Sequence, residues 1–158
     1  MTTLSECNED EYALLLGTPR AVLEAAVVAD GRPSPLAFLE ELSAGARAFR
    51  KARQDRSPFV REIANALHGS GSTGSSGQGL HESEEAMTAA LEQAERALAL
   101  LRERDGEAAA AYAAWLVRIA TQVSEAAESK VGGFFSRKVA AHPDERAFIG
   151  RLAAAVEP

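Results

Sequence analysis

Cysteine is almost missing from this chain. Cys7 stands alone, which excludes an intramolecular disulfide framework and fits a reducing, cytoplasmic compartment. Aromatics make up only 6% of the residues, and Val, Ile and Thr are sparse while alanine is abundant. That balance disfavours strands and favours helices, because Ala and straight-chain residues lose little side-chain entropy in a helix. The N-terminal MTTLSECNEDEY has neither a basic start nor an apolar run, so no signal peptide is expected. No apolar stretch approaches the ~18 residues needed to span a bilayer, so no transmembrane segment is expected either.

Catalytic signatures are equally scarce. The three histidines, His68, His81 and His142, fall at expected helix edges or loops. There is no Gly-x-Ser-x-Gly and no His-Glu-x-x-His. The glycines between Gly69 and Gly79 follow a helix rather than a strand, and no Lys-Ser or Lys-Thr follows them, so they do not form a phosphate loop. Acidic neighbours of Cys7 work against a reactive thiolate. No enzyme chemistry and no cofactor is implied. The net charge of −6 argues against tight nonspecific binding of nucleic acid, which rests on neutralising phosphates.

What is present is a series of helices with clear starts. The 46% hydrophobic content supports a packed core in a chain of 158 residues, about one domain in length. Asn8 and Glu11 have capping-box spacing ahead of Tyr12 to Leu16, and Gly17 is expected to end that short helix. Thr18-Pro19, Ser34-Pro35 and Ser57-Pro58 each pair a capping hydroxyl with proline at the first helical position. His142-Pro143 is a weaker version of the same device.

The helix expected from Pro35 to about Gln54 carries Leu36, Leu39, Leu42, Ala46 and Phe49 as an apolar stripe. A helix from Pro58 to His68 has Phe59, Ile63 and Leu67 on one face. Two long helices, about 82–104 and 107–130, are broken by Asp105-Gly106 and read as an antiparallel hairpin. Their inward residues are Met87, Leu91, Ala94, Leu98 and Leu101, then Tyr112, Trp115, Leu116, Ile119, Val123 and Ala127. A last helix, 143–156, places Phe148, Ile149, Leu152 and Val156 inside.

The fold class is therefore all-α: about seven helices in a compact bundle. Residues 70–79, made of Ser, Gly, Thr and Gln, read as a flexible linker between helical halves 1–69 and 80–158 that share one globular domain. Residues 34–42 and 142–152 echo each other faintly, as either two related halves or chance similarity between amphipathic helices would produce.

Two surface features carry functional interest. Arg47, Arg50, Lys51, Arg53 and Arg56, with Arg61 beyond them, form a basic stretch opposed only by Asp55 and Glu62. This is either a solvated helix end or a patch for an acidic partner or polyanion. No aromatic interleaves the arginines, so a stacking platform for single strands is missing. Phe134 and Phe135, after Gly132-Gly133, either anchor the last helix or form a partner or membrane-surface contact.

The Ala26-Val-Val-Ala-Asp-Gly31 segment, followed by a Ser-Pro helix start, resembles the repeat unit of the TerB-like (tellurite-resistance) proteins. The likeness covers about residues 21–42, with a poorer echo at 119–152. It implies an all-helical fold of two related halves and a stress-associated role. It also implies an acidic cluster, for which Asp30, Glu40 and Glu41 are the matching positions and hence the candidate metal ligands. Arg32, Pro33 and Ser34 replace the acids expected after the Asp-Gly turn. Three functions remain open: a non-enzymatic interaction module with a protein partner, a polyanion binder, or a metal or small-ligand protein. Alanine-rich helix faces also permit a homodimer.

Overall fold

The computed structural model describes residues 1–29, 35–70, 83–131 and 143–157. They form a 3-10 turn, Leu4–Glu6, and six α-helices: α1 (Glu9–Ala29), α2 (Pro35–Ala52), α3 (Pro58–Gly69), α4 (Ser83–Arg104), α5 (Gly106–Val131) and α6 (Pro143–Val156). No strand occurs among the described residues. Helix α5 is central and packs against all five other helices. Its Tyr112, Trp115, Leu116, Ile119 and Val123 are fully or almost fully buried. The core is continuous across both halves of the chain, since α1 packs along α4 and α5, and α2 along α5. The proposed linker lies outside the described residues except for Ser70, whose N–H bonds the Ala66 carbonyl at 3.1 Å and closes α3.

The starts of α1, α3 and α5 follow from local chemistry. The Asn8 side chain accepts from the Glu11 N–H at 2.9 Å, and the Glu11 carboxylate accepts from the Asn8 N–H at 2.9 Å. This reciprocal pairing satisfies two otherwise orphaned donors. Ser57 caps α3, with Pro58 at its first position. Asp105 caps α5: its Oδ1 accepts from the N–H groups of Glu107 and Ala108 at 3.1 and 3.0 Å. Its Oδ2 takes the Thr2 N–H at 3.0 Å, and Glu62 takes the Leu4 N–H at 3.2 Å, which ties down the N-terminal segment.

The expected break at Gly17-Thr18-Pro19 does not occur. Thr18 and Pro19 lie inside a single 21-residue α1, so six helices stand where about seven were expected. Thr18 does not cap. Its hydroxyl donates back to the Leu14 carbonyl at 2.7 Å. Pro19 has no N–H for the Leu15 carbonyl four residues earlier. The buried Tyr112 hydroxyl donates to that carbonyl instead, at 2.7 Å. Burial pushes the Tyr112 phenol far up, with a hydrogen bond to Thr18 opposing, so the hydroxyl remains a donor.

Uninterrupted, α1 contains an 18-residue window with a mean hydropathy of 1.4 and is long and apolar enough to cross a membrane by length and composition alone. This corrects the expectation that no apolar stretch approaches that length. A core helix passes the same test, and Leu15, Val22, Ala25, Ala26 and Ala29 of α1 lie in the common core.

Small residues set the helix spacing. Among the α2 residues whose burial is described, Ala44, Ala48 and Ala52 form a buried line, while Phe49 is half-buried. Ala46, expected on the apolar stripe, is only half-buried. Gly45 lies where α2 approaches α1: a Cβ there would collide with Leu23 Cδ1 and stand 3.1 Å from Leu23 Cγ. Gly45→Ala should therefore destabilise by about 1 kcal/mol. The overpacking cost outweighs a helix-propensity gain of roughly 1 kcal/mol. In a Leu23→Ala background the same change should become stabilising, as read by urea denaturation of the four variants.

Candidate functional site

The end of α2, the 53–57 turn and the middle of α5 enclose a cleft of about 250 Å³. Ala48, Lys51, Ala52, Gln54, Asp55 and Arg56 line one side of it, and Trp115, Arg118 and Gln122 line the other. The turn is built around Asp55. Its Oδ1 accepts from the Ser57 N–H at 2.9 Å, and its Oδ2 pairs with Arg118 Nη2 at 2.6 Å. Its main-chain carbonyl accepts from Arg61 Nη1 at 2.6 Å. Burial works to raise the Asp55 carboxyl. The Ser57 hydrogen bond and the Arg118 and Arg61 guanidinium groups outweigh it and hold the carboxyl below its usual range.

A depressed carboxyl stabilises the fold above the unfolded-state pKa of about 4, and that stability is lost as pH falls through the lower folded-state value. Asp55→Asn keeps an acceptor for the Ser57 N–H but loses the charge and the acceptor for Arg118, and should cost about 1 kcal/mol or less at pH 7 because Arg118 is half exposed. The gap between the two proteins should close as thermal melts are taken from pH 5 down to pH 3.

The basic stretch divides into engaged and unengaged cations. Arg47 reaches back to the Ser43 carbonyl at 3.4 Å, and Arg53 Nε bonds Asn65 Oδ1 at 3.0 Å. Arg61 is occupied by main-chain carbonyls of the turn. Arg50, Lys51 and Arg56 are exposed and form no ion pair among the described residues. From α5, Arg118, which is paired with Asp55, and Trp115 line the cleft beside these cations. Neither could be assigned to the patch from spacing, since both are some 60 residues away in sequence.

An aromatic row lies behind the cleft. Phe49 meets Trp115 edge-on at 5.8 Å, Trp115 meets Tyr112 at 6.1 Å, and Tyr112 meets Phe59 at 6.2 Å. The row ties α2, α5 and α3 together with favourable T-shaped contacts. Trp115 is 1% exposed, and its indole N–H has no acceptor among the described residues.

The other sequence candidates are not gathered into a site. Asp30, Phe134 and Phe135 lie outside the described residues, and Glu40 and Glu41 are described only as backbone positions of α2. Among the described residues no group of three His, Cys, Asp or Glu could hold a metal ion. Cys7 sits beside Arg104 Nη1 at 3.7 Å. Burial pushes its thiol up; Arg104 opposes this, and Glu11, Glu6 and Glu62 add to it. It is a weak nucleophile at neutral pH. Comparison of the chain with protein-family models, with curated proteins and with solved structures finds no match.

Proposed function

We propose that this protein is a non-enzymatic helical-bundle interaction module that receives an acidic segment of a protein partner at the α2–α5 face. One observation carries the reading. Arg50, Lys51 and Arg56 extend from the end of α2 and its following turn and form no ion pair among the described residues, in a protein whose net charge is −6. Unspent cations on an acidic protein attract acidic groups and give charge complementarity at a docking face. The resemblance to stress-associated TerB-like proteins is compatible with such a role in a reducing compartment.

A nucleic-acid partner is the less favoured alternative. Arg47, Arg53, Arg61 and Arg118 are drawn into contacts within the protein, and the patch is compact rather than a track following a phosphate backbone. The test is calorimetric titration with a capped hexaglutamate peptide and, separately, with single-stranded oligonucleotides. Peptide binding that weakens with salt and is lost in Arg50→Glu/Lys51→Glu supports the reading. Tighter binding of the oligonucleotide, or turnover of a small substrate abolished by a cleft mutation, overturns it.

A further inference from the structure

We infer that the α2–α5 cleft is a socket for a single carboxylate side chain of that acidic segment, with Arg118 as its specificity-determining residue. This rests on the proposed acidic partner and names where one of its side chains sits. Size comes first. A cleft of about 250 Å³ falls below the roughly 300–1,000 Å³ typical of sites for drug-sized ligands, and suits one amino-acid side chain.

Charge comes second. Lys51, Arg56 and Arg118 line the cleft against a single carboxylate, Asp55, which leaves the lining with an excess of positive charge. Asp55 takes one Arg118 nitrogen at 2.6 Å and is itself fixed by the Ser57 N–H. The guanidinium is thereby oriented, and its five donors exceed what one carboxylate oxygen uses. An oriented guanidinium loses less freedom on binding than a free one.

The third observation is independent of charge. Trp115 belongs to the cleft wall, and its buried indole N–H lacks an acceptor among the described residues. A buried donor without a partner is costly, and a small shift of Trp115 toward the cleft would let a carboxylate oxygen supply the acceptor. Ala48 and Ala52 complete an apolar lining suited to the methylene groups of a glutamate.

Trp115 is the sole tryptophan, so its emission reports on the cleft directly. The experiment titrates capped hexaglutamate into the full chain while recording calorimetry and tryptophan emission. It compares wild type with Arg118→Gln, Arg47→Gln and Gln122→Phe, all checked for folding by circular dichroism. Arg118→Gln and Arg47→Gln each remove one charge, but Arg47 does not line the cleft. Gln122→Phe fills the cleft without changing charge.

A socket predicts that Arg118→Gln and Gln122→Phe each weaken binding by about tenfold or more, the scale of a charge-assisted hydrogen bond, and abolish the emission change. Arg47→Gln should cost less than roughly threefold, as for an exposed charge. Equal losses for the two arginine variants, or wild-type binding by Gln122→Phe, overturn the socket while leaving the acidic-partner reading intact. No peptide binding by the wild type overturns both.

Discussion

Phe148→Ala should lower the stability of the whole bundle by about 3–5 kcal/mol, the cost of removing a buried aromatic and leaving a cavity. Phe148 is 1% exposed and Leu152 is fully buried. These two, with half-buried Ile149, form the apolar contact by which α6 joins α4, α5 and α1. The end of α6 is held additionally by Arg102, which donates to the Glu157 carbonyl at 2.7 Å. Each anchor on a 14-residue helix is expensive to lose, since a short helix is not stable without packing. Urea denaturation should show a lower midpoint with an unchanged slope, because α6 shares the common core. A near-wild-type midpoint, or a fall in slope from local release of α6, would contradict that assignment.

Tyr112→Phe should cost about 1–3 kcal/mol, more than a simple loss of one hydroxyl. The reason lies in α1. Pro19 deprives the Leu15 carbonyl of its helical donor, and the Tyr112 hydroxyl replaces it from α5. With phenylalanine in place, that carbonyl would be left buried and without this donor. Pro19→Ala would restore the internal helical bond, so Tyr112→Phe should be milder in that background. A double-mutant cycle should give a coupling of about 1 kcal/mol or more between positions 19 and 112. Additive effects would show that the hydroxyl and the proline are unrelated.

The same pair explains what could and could not be read from the chain. Caps at Asn8, Ser57 and Asp105 are local, and their side chains act on amides within three residues. Thr18-Pro19 has the same local grammar as Ser57-Pro58, yet one is helix interior and the other a helix start. What separates them is a donor 97 residues away, which no local pattern contains. The Ala44, Ala48 and Ala52 seam was missed because alanine carries little hydrophobic signal, and larger neighbours drew the stripe toward Ala46. In the candidate site, the clustering of cations from Arg47 to Arg56 follows from helix spacing. That Arg53 and Arg61 are engaged, and that Arg118 and Trp115 face the same cleft, depends on how α3 and α5 pack.

The extensive pairing of α1 with α4 also bears on how the chain is made. Arg104 of α4 meets Glu11 of α1 at 2.5 Å across 93 residues of sequence. At translation rates of roughly 5–20 residues per second, α1 emerges about 5–20 s before the helix that covers it. Closing so long a loop places folding at the slow end for helical bundles, whose contacts are usually local. During that interval the apolar side of α1 has neither α4 nor α5 to bury it, and the nascent chain is at its most prone to misassociation.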